Sequence, residues 1–334
     1  SGCRNYQGPA WYRKHFVLPA ETKGQRVVLH FEAAMGKQIL YLNGKRIQEH
    51  LGGYLPFTLD LTANGVQAGD SCLLAVFTDN SDDKSYPPGK RQYTLDFAYH
   101  GGIYRDVWMI AKSPVAITDA IDSQTVGGGG VFVHFDKISE KSAQVYVNTE
   151  VQNDDARFGK VIKRSSGKLS LKPGEKKSIR QQMEVKNPTL WSPDTPYLYR
   201  VQSRIKKGNK SIDGGITRVG IRLAEFRGKD GFWLNGKPFG QLVGANRHQD
   251  FAYVGNALPN SQQWRDAKRL RDAGCTIIRV AHYPQDPAFM DACDELGLFV
   301  IVATPGWQYW NKDPKFGELV HQNTREMIRR DRNH

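Results

Sequence analysis

Apolar and polar residues alternate with a period of two through most of the first 220 positions. Val27, Leu29 and Phe31 interleave with Arg26, Val28 and His30, the pattern of a strand with one buried face. Trp11 to Leu18, Ile39 to Leu42, Cys72 to Phe77 and Tyr104 to Ile110 read as further strands. Asn43-Gly44 lies between two of these runs, where both turn positions need positive φ, and so predicts a tight hairpin. Short strands with no helical pattern predict a β-sandwich. A boundary falls near Ser113-Pro114, and the next hundred residues are again all strand. Turns fall at Gly127–Gly130, Ser165-Ser166-Gly167 and Lys172-Pro173-Gly174, and Val145-Tyr146-Val147 alternates inward and outward. This spacing suits an immunoglobulin-like sandwich, without the inter-sheet cysteine pair of antibody domains.

The period changes after about residue 230. Gln241 to Ala245, Thr276 to Ala281 and Leu298 to Ala303 are short apolar strands. Helices are predicted over Ser261 to Ala273, from the Asp286 cap to Gly297, and over Phe316 to Arg330. Apolar strands alternating with helices predict a parallel sheet covered by helices, either a doubly wound sheet or the start of a (β/α)8 barrel. Gly244-Ala245-Asn246 is no GxGxxG phosphate loop, which weighs against dinucleotide binding.

Composition changes this picture little. The chain has 334 residues, 39% hydrophobic and 24% charged, enough for two or three cores. No apolar run approaches the roughly 18 residues of a membrane span, and no membrane partner is expected. No charged-then-apolar leader pattern is read ahead of the first strand, and the opening Ser1-Gly2-Cys3 is compatible with an earlier removal of one. A periplasmic or secreted location is expected over a cytoplasmic one. Cys3, Cys72, Cys275 and Cys293 lack metal-ligand spacing and read as buried thiols. The net charge of +13 favours anionic partners. Its basic residues are scattered, as in Lys160-Val161-Ile162-Lys163-Arg164, so solubility, or steering toward an anionic polysaccharide, accounts for the charge and no nucleic-acid partner is expected.

Motifs along the whole chain together resemble glycoside hydrolase family 2, the β-galactosidases and β-glucuronidases. They are Tyr12-Arg13-Lys14-His15-Phe16, Gly52-Gly53-Tyr54, Asp96-Phe97 and Gly101-Gly102-Ile103-Tyr104-Arg105-Asp106-Val107 in the first segment. Leu190-Trp191-Ser192-Pro193 closes the second. Gly244-Ala245-Asn246-Arg247-His248, Arg279-Val280-Ala281-His282-Tyr283-Pro284 and Cys293-Asp294-Glu295-Leu296-Gly297-Leu298 lie in the third. The resemblance implies a jelly-roll sugar-binding sandwich (residues 1–112), an immunoglobulin-like sandwich (113–222) and the first three strand–helix units of a TIM barrel (223–334). It implies an exo-acting retaining β-glycosidase, with β-galactosidase first and β-glucuronidase second. The substrate is then an oligo- or polysaccharide, with self-association left open. The family's two catalytic glutamates are expected past His334, so residues 1–334 alone are expected to be inactive. A carbohydrate-binding protein without catalysis is the alternative.

Retaining hydrolysis needs two carboxyl groups about 5–5.5 Å apart, at C-terminal strand ends in a barrel. Only Asp250 stands near such an end; Asp286, Asp291, Asp294, Glu295 and Glu326 fall on helices. No catalytic residue is therefore assigned. Arg247 with His248, and Arg279 with His282, end consecutive strands, and their donors suit sugar hydroxyls. The resemblance implies that the histidines and Arg279 line the sugar pocket, and that Asp96 reaches in from the first sandwich to bind hydroxyls. Trp307, Tyr309 and Trp310 follow the third strand and offer faces for stacking on a sugar. Ala303-Thr304 stands where the magnesium-binding galactosidases carry a glutamate, so no metal or other cofactor is expected. Arg105 and Asp106 are expected to form a structural ion pair.

Overall fold

The computed structural model describes residues 6–95, 97–123, 125–154, 162–164, 167–306 and 308–334. Asp96, Trp307 and the predicted Ser165-Ser166 turn lie outside the described residues.

The first sandwich contains β1 (Pro9–Val17), β2 (Arg26–Phe31), β3 (Lys37–Leu42), β4 (Lys45–Leu51), β5 (Phe57–Asp60), β6 (Ser71–Asp79) and β7 (Val107–Lys112). One sheet runs β1-β6-β3-β4 and the other β5-β2-β7, all antiparallel. Period-two patterning does the folding here. Cys72, Leu74 and Val76 of β6 meet Leu29 and Phe31 of β2 and Leu40 and Leu42 of β3 in one core. The β3–β4 hairpin turns at Asn43 and Gly44, with φ of 51° and 81°, as both positions of such a turn require. The last strand begins at Val107 rather than Tyr104, because Tyr104 and Arg105 turn inward toward the barrel.

The second sandwich contains β8 (Val115–Ile117), β9 (Val131–Asp136), β10 (Ser142–Asn153), β11 (Ile162–Arg164), β12 (Gly167–Leu169), β13 (Lys176–Lys186), β14 (Tyr199–Lys207) and β15 (Lys210–Val219). β10 is the centre of one sheet, flanked by β13, β8 and β9; the other runs β12-β11-β14-β15. Val133, Val145, Val147, Val219 and Ile221 fill part of the space between them.

A small sheet of β16 (Ala224–Phe226), β17 (Phe232–Leu234) and β18 (Lys237–Pro238) leads into three parallel strands. These are β19 (Gly244–Arg247), β20 (Ile277–Val280) and β21 (Phe299–Val302), with α1 (Asn260–Asp272), α2 (Pro287–Leu296) and α3 (Pro314–Asp331) after each in turn. β19 starts three residues later than the apolar run suggests, because Phe239 still bonds back to Phe232 in the small sheet. Ile278, Val280, Phe289, Cys293 and Leu298 form the core between strands and helices. Asp286 caps α2 by accepting from the Ala288 amide at 2.9 Å, with Pro287 in first position, and Gly297 ends it in the left-handed region at φ 75°. A Cβ on Gly297 would sit 2.2 Å from the Pro193 carbonyl oxygen, so this glycine also permits close docking on the second sandwich.

Polar contacts fix the three parts to one another. Arg26 of the first sandwich pairs with Asp60 at 2.7 Å and with Asp122 of the second at 2.6 Å. Asn311, just ahead of α3, donates to the Lys84 carbonyl at 2.7 Å. Beyond the far end of α3, Asn333 exchanges bonds with Val133 (3.0 Å) and Val131 (2.8 Å). The expected Arg105–Asp106 pair does not form. Neighbours on an extended segment point to opposite sides. Arg105 enters the barrel, donating to the Pro284 carbonyl (2.8 Å) and Gln249 Oε1 (3.1 Å) beside Asp286, while Asp106 accepts from Asn260 at 3.2 Å.

Candidate sugar site at the strand ends

The alternation along β19 and β20 decides which side chains can reach a ligand. Asn246 and Arg279 are opposite each other in the register, and Arg279 Nη1 lies 3.5 Å from Asn246 Oδ1. Neither is buried, unlike Ile278 and Val280, which face the helices. Just beyond the strands, the imidazoles of His248 and His282 meet edge to face, with ring centroids 5.5 Å apart. The peptide joining Ala281 to His282 is cis.

The first sandwich completes this corner. Phe97 stacks on His248 at 5.3 Å and tilts against His282 at 5.9 Å and Tyr283 at 5.4 Å. Tyr283 stacks on Tyr54 of the sandwich at 4.2 Å, and Tyr104 donates to the Gly53 carbonyl at 2.5 Å. Burial pushes the Tyr104 phenol up to about 12 and those of Tyr54 and Tyr283 upward as well. These tyrosines are therefore uncharged at neutral pH and act as a rigid floor. His248 Nδ1 is buried without a hydrogen-bond partner among the described residues. Aromatic faces with imidazole and guanidinium donors are the equipment for holding a sugar ring and its hydroxyls.

Arg247 requires correction. Its side chain points away from this corner into the helix layer, over the Phe289 ring at 4.0 Å. It donates to Gln285 (2.5 Å) and Gln263 (2.8 Å) and pairs with Asp266 (2.7 Å). It shares the helix-facing side with Val280, its partner in the register, and so is a structural residue. Tyr309 is also structural: its ring packs on Phe316 at 5.7 Å and lies over Gly89. Trp310 is 71% exposed. Asp96 and Trp307 lie outside the described residues.

Phe97, Asn246 and the Tyr54–Tyr283 stack escaped the sequence reading. Phe97 enters the sequence motif only beside Asp96, and its contacts with the barrel histidines join residues too distant in sequence for any local pattern to show. No carboxylate pair stands at these strand ends among the described residues. Asp250 is exposed, and Glu326, raised to about 7 chiefly by burial, lies on α3 bonded to Gln322 at 2.9 Å. One group has metal-ligand spacing among the described residues: Asp291, Asp294 and His334. Arg218 holds Asp291 at 2.5 Å and His334 holds Asp294 at 2.7 Å, so these acids already have partners within the protein.

Two sandwiches followed by three parallel strand–helix units, with Phe97 of the first sandwich packed on the residues just beyond the strand ends, define a multidomain protein that carries part of a barrel. Family models agree along the chain: the sugar binding domain of glycosyl hydrolases family 2 matches residues 1–114, the family 2 model 115–222, and the family 2 TIM barrel domain 226–334. The chain belongs to glycosyl hydrolases family 2. It is 36% identical over 340 residues to a β-galactosidase of Thermoanaerobacter pseudethanolicus, covering 99% of this chain and 44% of that protein. A β-glucuronidase of Formosa agariphila is 31% identical over 353 residues, covering 98% of this chain and 35% of that protein. The structure of Bacteroides uniformis β-glucuronidase 2, covalently bound to cyclophellitol-6-carboxylate aziridine, superposes with a TM-score of 0.87 at 32% identity, covering 100% of this chain and 41% of that one. The chain thus spans less than half the length of these relatives.

Proposed function

We propose that the protein is an exo-acting retaining β-glycosidase and that residues 1–334 supply the part that holds the terminal sugar. The observation carrying this reading is the corner where His248 and His282, at the ends of consecutive parallel strands, meet Phe97 of the first sandwich. In this reading the imidazoles and Arg279 hydrogen-bond the sugar hydroxyls, and Asp96 and Trp307 add a carboxylate and an aromatic face. Trp310, which is largely exposed, offers a further ring. The reaction also requires two carboxyl groups, which the described residues do not bring to these strand ends.

A β-galactoside is the preferred substrate, in keeping with the 36%-identical β-galactosidase. A β-glucuronide is the second reading, favoured by the net charge of +13 and by the likeness to glucuronidase structures. The test is hydrolysis by the full protein of a panel of aryl β-glycosides: galactoside, glucuronide and mannoside. Preferred turnover of the galactoside supports the first reading and of the glucuronide the second. No turnover of any of them rejects the glycosidase and leaves carbohydrate binding without catalysis.

A further inference from the structure

The loop after β19 leaves the sugar corner and carries apolar side chains into solvent. Phe251 and Gly255 close a small hairpin through paired backbone bonds of 3.0 and 2.9 Å. At its tip Tyr253 is 87% exposed, beside Val254 at 49% and Phe251 at 46%. Tyr253 also holds a φ of 75°, which a residue with a Cβ adopts only at an energetic cost. Strained backbone of this kind clusters at functional sites. The loop is anchored at its base on the first sandwich: a Cβ on Gly255 would sit 2.4 Å from the His100 ring, so glycine is required for the contact. His100 lies three residues beyond Phe97, and Phe97 stacks on His248. One sandwich segment therefore touches both the sugar corner and the base of the loop.

We infer that Tyr253 is a stacking platform for the second sugar of the substrate, the one released when the terminal residue is cleaved. This assignment rests on the glycosidase reading and names where the leaving portion lies. The apolar face of a pyranose ring fits an exposed phenol ring, and the bridge from Phe251 to Gly255 with the packing of Gly255 on His100 fixes the backbone that carries it. The terminal sugar is held by other groups, so the two contacts are separable.

The test uses the full protein and two pairs of substrates, one pair with a terminal β-galactosyl and one with a terminal β-glucuronyl residue, each pair sharing its terminal sugar. In each pair one is a glycosyl fluoride, whose leaving group has no ring; the other is a β-linked disaccharide. Tyr253→Ala should lower kcat/KM on the disaccharide about five- to thirty-fold, mainly through KM, as expected for one lost stacking contact. Turnover of the fluoride should stay within about twofold. Tyr253→Phe should restore the disaccharide rate. Tyr253→Gly should show the same disaccharide loss with a raised Tm, because it relieves the positive φ. An equal fall on both substrates, or no change on the disaccharide, overturns the platform. If the unaltered protein cleaves none of these substrates, the glycosidase reading itself is overturned.

Discussion

His248 and Arg247 are neighbours in sequence with opposite fates, and the reason is the period of two. A strand end is not a point from which every side chain reaches the ligand. Arg247 follows its register partner Val280 toward the helices, whereas His248 lies beyond the last paired residue and turns to Phe97. That the two histidines meet was legible, because they follow the ends of strands that pair in parallel. The role of Arg247 was not, because its partners Gln263, Asp266 and Gln285 come from elements whose packing the local pattern does not encode. Two outcomes follow. His248→Gln and His282→Gln should each lower kcat/KM by about ten- to a hundredfold, in line with about 1.5–3 kcal/mol for a lost hydrogen bond in the site. Arg247→Met should leave the rate per folded molecule unchanged while costing about 3 kcal/mol of stability in urea unfolding, since Asp266 and two glutamines lose their donor.

Element by element, most of the fold was readable. Period-two runs marked the sandwiches, and caps marked the helices. What the pattern did not show is how α3 serves both sandwiches, since its amphipathic face looks like that of any barrel helix. Glu326 lies on this helix, 8% exposed, with Oε2 unpartnered among the described residues. Burial raises its pKa from 4.5 to about 7, so the fold favours its protonated form. Its contribution is full below about pH 4.5 and is lost as the pH rises through about 7, a change of about 3 kcal/mol. Glu326→Gln should therefore flatten the decline in Tm between pH 4.5 and 7 and be the more stable protein at pH 8. His50 on β4 acts in the opposite sense. Burial lowers it to about 4, so its contribution is present above pH 6.5 and is lost as the pH falls toward 4.

For the whole molecule, the decisive feature is that the candidate site is built from two domains. The order of domains was evident from motifs, but the meeting of Phe97 with His248, and of Arg105 with the barrel, joins residues about 150 positions apart. No periodicity records such contacts. Arg105 is the fixed strut: its side chain has 0% exposure and bonds to Tyr54 of its own sandwich and to Gln249 and Pro284 of the barrel. Arg105→Ala should both lower Tm and raise KM for the terminal sugar, because the Phe97 segment loses its alignment over the strand ends; differential scanning fluorimetry and steady-state kinetics would show the two effects together. The central claim, that the first sandwich and the barrel jointly hold the terminal sugar, is tested most directly by a crystal structure of the full protein soaked with a lactone analogue of that sugar. The account predicts the ring within hydrogen-bond distance of both His248 and His282 and in contact with Phe97. A well-ordered sugar bound elsewhere, or touching barrel residues alone, would contradict it.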